Sequence, residues 1–314
     1  MTISETQYDF IKEAEKDLAQ RYYKFSKDSN NIPIKLGGGG VGTVFVGKST
    51  QLSLDGYRYA IKCLNSKYLL SDELREKMMI EGQILSLLDH PNIIKLKDFI
   101  GGTEITGYRT YLILELIKGA DMGVWMKRAW GVNNPIPLEN SIFLMNQILE
   151  GIKYAHNTSL PFKGYDGVLH LDIKPANILV TSNGVKIIDF GISQGSSQQR
   201  CKRNMGTLSY MAPEQFMSED KLDKRTDVYA LGVLFREMIT GRKWDLGIIQ
   251  HNGTQQNYRD LIIDWKMNKP FPSLPDNCYN PIIDELIQKA TQNDPNDRFQ
   301  SCDEFIDELM KFEF

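Results

Sequence analysis

The pattern of apolar residues changes once along this chain of 314 residues, close to Gly119. Before that point most signals are strand-like, and two apolar runs, Val41–Val46 and Tyr57–Lys62, flank a polar turn as the strands of a hairpin do. One stretch, Asp72–Leu88, has helical spacing instead. After Gly119 helical spacing dominates. The pattern predicts an α+β fold in which a small strand-rich lobe precedes a larger helical lobe.

Capping signals bound several helices of the second part. A helix that begins near Asp227 is predicted to end at Gly241, and Ser301 with Glu304 forms the capping box of a last helix that runs through Leu309. Residues 192–204 show no periodicity and are predicted to form a loop, and residues 158–168 are expected to be a surface excursion. Further helices are predicted at 141–156 and 281–292.

The N-terminal segment is predicted to be helical as far as Phe25. Tyr8, Ile11 and Leu18 recur at helical steps, and Ser4 with Gln7 resembles a capping box. We expect this helix to pack on the main body rather than to act as a regulatory arm. The predicted domains are therefore a helical extension at 1–29, the strand-rich lobe at 30–117 and the helical lobe at 118–314.

Composition and charge exclude several classes of protein. A formal net charge of -3 leaves no strongly basic surface, so nucleic acid is not expected as the main partner. The apolar runs are too short to span a bilayer, and the first residues lack the apolar core of a secretory signal. The four cysteines are far apart and form no CxxC pair, so they indicate reduced thiols rather than disulfides or zinc ligands. We expect a cytoplasmic protein with no membrane partner.

A glycine-rich stretch at 36–44 fits the pattern GxGxxGxV. Glycines allow a hairpin turn to lie close to phosphates and to direct its backbone N–H groups at them, although a plain flexible turn would have the same sequence. The next predicted strand ends with Ala60 and Lys62, which places an ammonium group opposite the turn, where it could hold phosphates. The residues at or beside the fixed positions are Leu36, Gly37, Gly39, Gly42 and Val44.

Together with Lys62, the glycine pattern resembles the first two signatures of the protein kinase family, and the others follow in order. Glu81 matches the helix glutamate that pairs with the strand lysine in that family. The resemblance covers residues 30–312 and implies the two-lobed protein kinase fold. The later matches are the catalytic loop at His170–Asn177, the metal-binding triplet Asp189–Gly191, the segment end Ala212–Glu214, the buried Asp227 and the buried Arg298.

The resemblance implies a role for each residue of the catalytic loop. Asp172 is expected to orient the acceptor hydroxyl and to take its proton, and Lys174 to reach the migrating γ-phosphoryl group. Asp189 is expected to hold Mg²⁺, and Asn177 a second metal site, because hard oxygen ligands suit this ion. The implied cofactors are thus ATP and Mg²⁺.

The resemblance also implies where the nucleotide binds. Adenine is expected between Val44 and Ala60 on one side and Leu179 on the other. The backbone of Glu115–Ile117 is expected to bond the base, and Asp121 to reach the ribose.

The acceptor class is implied by two stretches. Lys174 stands where serine/threonine kinases carry lysine, and Gly206–Glu214 resembles the serine/threonine form of that segment. The implied substrates are proteins, with autophosphorylation included, and the segment end resembles bacterial members. Leu171 stands where the family has an arginine that pairs with a loop phosphate. The protein is therefore expected to be active without loop phosphorylation, or to be switched by something else such as the helix from Ser4 to Phe25. Packing roles without chemistry are expected for His170, Phe190, Glu214 and Arg298.

Two other functions are compatible with a kinase-like fold. A pseudokinase acting as a binding scaffold needs a broken catalytic position, whereas every expected one is present here. A small-molecule kinase of similar fold generally lacks the Ala212–Glu214 segment and the Lys174 pattern. The catalytic positions that argue against a pseudokinase are Lys62, Glu81, Asp172, Asn177 and Asp189.

Overall fold

The computed structural model describes residues 5–38, 42–51, 56–65, 68, 71–101, 109–131, 133–159, 167–190, 208–217, 222–245 and 255–311. The chain divides into two compact units. The first unit comprises Met1–Asp89 and Ile94–Lys118, and the second comprises His90–Ile93 and Gly119–Phe314. The predicted loop at 192–204 and most of the predicted excursion at 158–168 lie outside the described residues.

The described residues of the first unit form a six-stranded antiparallel sheet. Its order is β1-β3-β4-β6-β5, and β2 also pairs with β3. The hairpin predicted from the sequence is confirmed, because β3 and β4 pair with Val44 opposite Lys62. The strands are β1 (Tyr23–Phe25), β2 (Lys35–Gly38), β3 (Gly42–Ser49), β4 (Arg58–Leu64), β5 (Leu96–Gly101) and β6 (Thr110–Glu115).

Helix α2 (Asp72–Leu87) lies where the sequence predicts the helix of the strand-rich lobe. It begins at a capped end, since the side chain of Ser71 accepts a hydrogen bond from the backbone N–H of Leu74. Its buried face carries Met78, Leu85 and the charged Glu81. A buried carboxylate needs a partner, and the partner of Glu81 is Lys62 on β4.

The N-terminal helix α1 (Glu5–Ala19) packs on the core of the first unit, as expected. Leu18 is fully buried there with residues of β1, β4 and β6. The prediction that the helix reaches Phe25 is wrong. Tyr22 has φ of 61°, a left-handed conformation that ends helical structure, and Tyr23–Phe25 then pairs with β3. The predicted cap Ser4 lies outside the described residues.

A buried carboxylate joins α1 to the sheet. Asp17 accepts hydrogen bonds from Arg109 Nε at 2.6 Å and Nη2 at 3.1 Å, and from the hydroxyl of Tyr111 at 2.7 Å. Asp17 and Tyr111 are both buried. The helix is thus anchored by polar contacts as well as by its apolar face.

The second unit is mainly helical. A small sheet of β7 (Gly119–Asp121), β8 (Ile178–Thr181) and β9 (Gly184–Ile187) accompanies the helices. Nearly all of α5 (Lys224–Thr240) is buried, and this helix ends as predicted at Gly241, whose φ of 67° suits glycine. Ser301 caps α8 (Cys302–Leu309) by accepting a hydrogen bond from the N–H of Glu304. The helices are α3 (Met122–Ala129), α4 (Leu138–His156), α5 (Lys224–Thr240), α6 (Gln255–Asn268), α7 (Pro281–Ala290) and α8 (Cys302–Leu309).

Residues 90–93 belong to the second unit although their neighbours in sequence belong to the first. The side chain of Asn92 donates to Gln147 and to the carbonyl of Val185, both at 3.1 Å, and its own carbonyl accepts from the N–H of Ile187 at 2.7 Å. These hydrogen bonds attach residues 90–93 to β9 and α4. Among the helices that the structure describes, none has the length and apolar composition needed to cross a bilayer.

Candidate active site

The first unit presents a lysine held by a glutamate. Lys62 Nζ donates to Glu81 Oε1 at 2.6 Å and to Oε2 at 2.8 Å, which confirms the ion pair expected from the resemblance. Glu81 is buried on α2, whereas the side chain of Lys62 on β4 stays 23% exposed. The pair therefore fixes the position of the ammonium group, while part of the lysine side chain stays exposed.

The glycine-rich turn joins β2 and β3. Gly37 pairs with Val44 and Gly38 with Thr43, so the two strands approach closely here. A Cβ on Gly38 would meet the carbonyl oxygen of Gly42 at 2.9 Å, and a side chain there would force the strands apart. Leu36 lies on β2 beside this site, while Gly39–Val41 lie outside the described residues.

The residues expected around the base lie on neighbouring strands of the first unit. Ala60 on β4 pairs with Leu114 on β6, and the next pair joins Tyr59 to Glu115. The carboxylate of Glu115 accepts from the backbone N–H of Lys95 at 2.9 Å, so this side chain serves the sheet. Ile117 lies two residues after the end of β6.

The catalytic loop of the second unit concentrates polar groups on one carboxylate. Lys174 Nζ donates to Asp172 Oδ2 at 2.7 Å, and Asn177 Nδ2 donates to the same oxygen at 3.0 Å and to the Asp172 carbonyl at 2.8 Å. Oδ1 of Asp172 is buried and has no hydrogen-bond partner among the described residues. The loop thus holds one carboxylate oxygen and leaves the other able to accept a proton donor.

Leu171 holds the loop in a strained turn. Its φ is 61°, which a bulky residue rarely adopts and which costs on the order of 1 kcal/mol or more. Both of its backbone groups are bonded: its N–H donates to Asp227 Oδ1 at 2.7 Å, and its carbonyl accepts from Gln215 Nε2 at 3.2 Å. This contact of Gln215 was not predicted from the sequence, because a single glutamine belongs to no local pattern.

Asp227 is the buried brace that the resemblance predicted. It accepts from the N–H groups of His170 and Leu171 and pairs with His156 Nε2 at 2.8 Å. Burial opposes its ionisation, but the hydrogen bonds and charges of His156 and His170 together outweigh burial and lower the pKa of this carboxyl. The carboxylate therefore stays charged and keeps the catalytic loop in place.

The metal-binding triplet follows β9. Asp189 has φ of 69°, and the next ring, Phe190, packs on His170 with centroids 4.8 Å apart. His170 and Phe190 are fully buried, which confirms their expected packing role. Gly191 lies outside the described residues.

Asp121 and Leu179 pair across β7 and β8. Asp121 also caps α3, since its Oδ1 accepts from the N–H of Val124 at 2.9 Å. This capping role was not predicted from the sequence. The cap uses Oδ1 of Asp121, so the ribose contact expected from the resemblance would use Oδ2.

Arg298 and Glu214 form the predicted ion pair, with both N–O distances at 2.8 Å. The side chain of Arg298 is fully buried. Its remaining N–H groups donate to the carbonyls of Gln292, Arg225 and Asn293, so all five donors are used. Such a saturated group has a structural role.

Comparison with known proteins agrees with this geometry. The family model described as "Protein kinase domain" matches residues 31–313. Similar proteins include the serine/threonine-protein kinases Pkn1 of Myxococcus xanthus (29% identity), PrkC of Bacillus subtilis (29%) and PknA of Mycobacterium tuberculosis (31%), over 86 to 88% of this chain. The chain spans 37, 38 and 58% of their lengths, respectively. Because the family match covers most of the sequence, the chain belongs to the protein kinase domain family and has its two-lobed fold.

Proposed function

We propose that this chain transfers the γ-phosphoryl group of ATP to serine or threonine hydroxyls of proteins, itself included. The observation that carries the proposal is the Asp172 carboxylate, one oxygen of which is buried without a partner among the described residues. Serine/threonine-protein kinases among the similar proteins support the acceptor class. This activity is proposed for the kinase domain alone, because the similar proteins are longer than this chain.

Asp172 would accept the proton of the acceptor hydroxyl. Lys174 and Asn177 bind Oδ2 and so fix the plane of the carboxylate, which leaves Oδ1 to receive a hydrogen bond from the hydroxyl. A positioned base of this kind contributes about 10²–10⁴ in rate. Its alignment depends on Leu171, whose backbone is bonded on both sides of the turn.

Two lysines would bear the negative charge of the phosphates. Lys174 is 22% exposed while bound to Asp172, so its ammonium group can face the migrating phosphoryl group. Lys62, held by Glu81, would bind the α- and β-phosphates. Fixed charges of this kind stabilise the transition state without having to reorient.

Asn177 and Asp189 would hold Mg²⁺. Both Asn177 contacts use the amide nitrogen, so its amide oxygen remains the ligand atom, and oxygen ligands are those that Mg²⁺ prefers. Because Mg²⁺ is usually held by one or two protein side chains, the phosphates of the nucleotide and water would complete its coordination. When bound, Mg²⁺ neutralises charge on the β- and γ-phosphates.

The nucleotide site proposed from the resemblance includes the glycine-rich turn and the ends of β4 and β6. The close pairing of β2 with β3 supports the placement of the glycine-rich turn in this site. The register of β4 with β6 supports the placement of Ala60 and Glu115 near the base. Proposed contacts are Leu36, Gly37, Gly39, Gly42 and Val44 of the turn; Ala60, Glu115, Ile117 and Leu179 around adenine; and Asp121 at the ribose.

We also propose a cytoplasmic location, which rests on the sequence. Free thiols at Cys63, Cys278 and Cys302 support a reducing compartment. Burial raises the pKa of Cys63 to about 12, so this thiol is unreactive.

One experiment separates the proposal from its two rivals. The purified chain is incubated with labelled ATP, Mg²⁺ and a generic protein substrate, and labelled amino acids are identified after hydrolysis. We expect phosphoserine or phosphothreonine, and a rate about 10²–10⁴-fold lower in Asp172→Asn. Asp264→Asn, an exposed residue on α6, is the matched control.

The rivals predict other results. A pseudokinase would bind nucleotide and transfer nothing, and a small-molecule kinase would label only small acceptors. Transfer by Asp172→Asn at the parent rate would contradict the role given to Asp172.

A further inference from the structure

Residues 208–217 lie directly against the catalytic loop. Tyr210, Met211 and Gln215 line the same small space as Leu171 and Asp172. Gln215 also bonds the carbonyl of Leu171. Any shift of this segment therefore changes the surroundings of the acceptor end of the site.

A buried polar cluster holds this segment at Ser209. The Ser209 carbonyl accepts from Trp244 Nε1 at 2.9 Å and from Lys266 Nζ at 3.0 Å. Its hydroxyl donates to Asp245 Oδ2, and Tyr258 donates to the same oxygen. Both the backbone and the side chain of one residue are thus fixed.

Lys266 is an unusual member of this cluster, because it is only 1% exposed. Its ammonium group also donates to the hydroxyl of Tyr229 at 3.1 Å and lies 5.0 Å from the ring centre of Trp244. No carboxylate lies within 4.0 Å of Nζ among the described residues, and burial lowers the pKa of Lys266 well below its usual value.

Stability alone does not account for a lysine at this position. An apolar side chain of similar size is often equal or better at a fully buried site. The cluster contributes a donor aimed at the Ser209 carbonyl, which an apolar side chain cannot supply.

We propose that Lys266 and Asp245 are positioning residues for the protein substrate: they fix Ser209 and so keep residues 208–215 packed against the Asp172 loop. The inference rests on the proposed kinase function and adds residues on and before α6 to that site. Residues 208–215 pack beside Asp172, where the acceptor hydroxyl would bind. The two positioning residues are therefore expected to affect binding of the protein substrate and not binding of ATP.

The test compares Lys266→Met with Lys269→Met, a control at an exposed lysine just after α6. Lys266→Met is expected to raise the KM for the protein substrate about tenfold, the size of one lost hydrogen bond. The KM for ATP is expected to change less than about twofold. The melting temperature is expected to stay the same or rise, because the variant removes a polar group that is costly to bury. An unchanged KM for the protein substrate overturns the proposal, as does a rise in both KM values together.

Two further measurements keep the proposal testable if Lys266→Met does not fold or if the chain transfers no phosphate. Tyr258→Phe removes one hydroxyl from Asp245, and its KM for the protein substrate is expected to rise about threefold. Hydrogen exchange of the amides of 208–215 needs no activity, and exchange is expected to be faster in Tyr258→Phe than in the parent protein.

These measurements separate the two possible failures. Absence of phosphotransfer by the parent protein would reject the proposed function, whereas unchanged exchange at 208–215 would reject the positioning role by itself.

Discussion

The two units each contain a buried carboxylate paired with a basic side chain, and the two pairs differ in how exposed the basic side chain is. Lys62 meets Glu81 in the first unit and keeps 23% of its side chain exposed. Arg298 meets Glu214 in the second unit, is fully buried and uses every N–H. Equal charges at similar distances therefore serve different purposes: an accessible ammonium group can bind a ligand, and a saturated guanidinium group can only hold the fold.

The largest effect is expected from breaking the closed pair. Arg298→Ala leaves Glu214 as an uncompensated buried charge, which costs about 3–5 kcal/mol of unfolding free energy. Denaturant unfolding followed by fluorescence measures this loss. Lys311→Ala, which removes an exposed pair with Glu308, is the control and is expected to change little. A variant with unchanged unfolding and no activity would reject the structural role of Arg298.

Breaking the open pair is expected to affect catalysis more than stability. Lys62→Met removes a fixed charge from the proposed phosphate site and is expected to raise the barrier by about 2.7–4 kcal/mol. Because the side chain of Lys62 is 23% exposed whereas that of Arg298 is fully buried, unfolding is expected to change less than in Arg298→Ala. Initial rates and denaturant unfolding of the same preparation compare the two effects. Equal destabilisation of the two variants would remove the distinction between the pairs.

A third pair, Asp17 with Arg109, tests whether the N-terminal helix contributes to stability or to regulation. Asp17→Ala leaves the Tyr111 hydroxyl buried without its acceptor, which costs about 1–3 kcal/mol. Thermal unfolding measures the loss, and Asp9→Ala, an exposed position on α1, is the control. Activity lost without any change in unfolding would instead make α1 a regulatory arm.

The smallest effect is expected from removing phosphate. The side chain of Leu171 has no donor that could pair with a phosphate on Ser196, Ser197 or Thr207, which lie outside the described residues. Phosphatase treatment and the Ser196/Ser197→Ala variant are therefore expected to lower initial rates less than about tenfold, or 1.4 kcal/mol. A larger drop that rephosphorylation restores would show that loop phosphate activates the protein.

Sequence patterns predicted the parts of this molecule that local spacing determines. Fixed intervals between motif residues identified Lys62, Glu81 and Asp172, and capping signals placed the end of α5 at Gly241. The end of α1 was predicted wrongly, because the residue with the left-handed conformation is Tyr22. A glycine or proline at that position would have marked the end of the helix in the sequence.

The Ser209 cluster could not be predicted for a different reason. Lys266 lies 57 residues from Ser209 in sequence, and a lysine in a polar helix indicates a solvated face. Only the packed structure shows that this lysine is buried.

The four residues 90–93 have a consequence for the order of folding. Because they belong to the second unit, neither unit is one continuous stretch of chain. The bond from Asn92 to Val185 spans 93 residues, and closing so long a loop costs chain entropy before it gains a contact. During synthesis the whole first unit has been made once the chain reaches Lys118, whereas the partners of residues 90–93 in α4 and β9 are made only later. A fragment that starts at Gly119 lacks the Asn92 contacts with Gln147, Val185 and Ile187, so we expect it to fold less stably than the same residues within the whole chain.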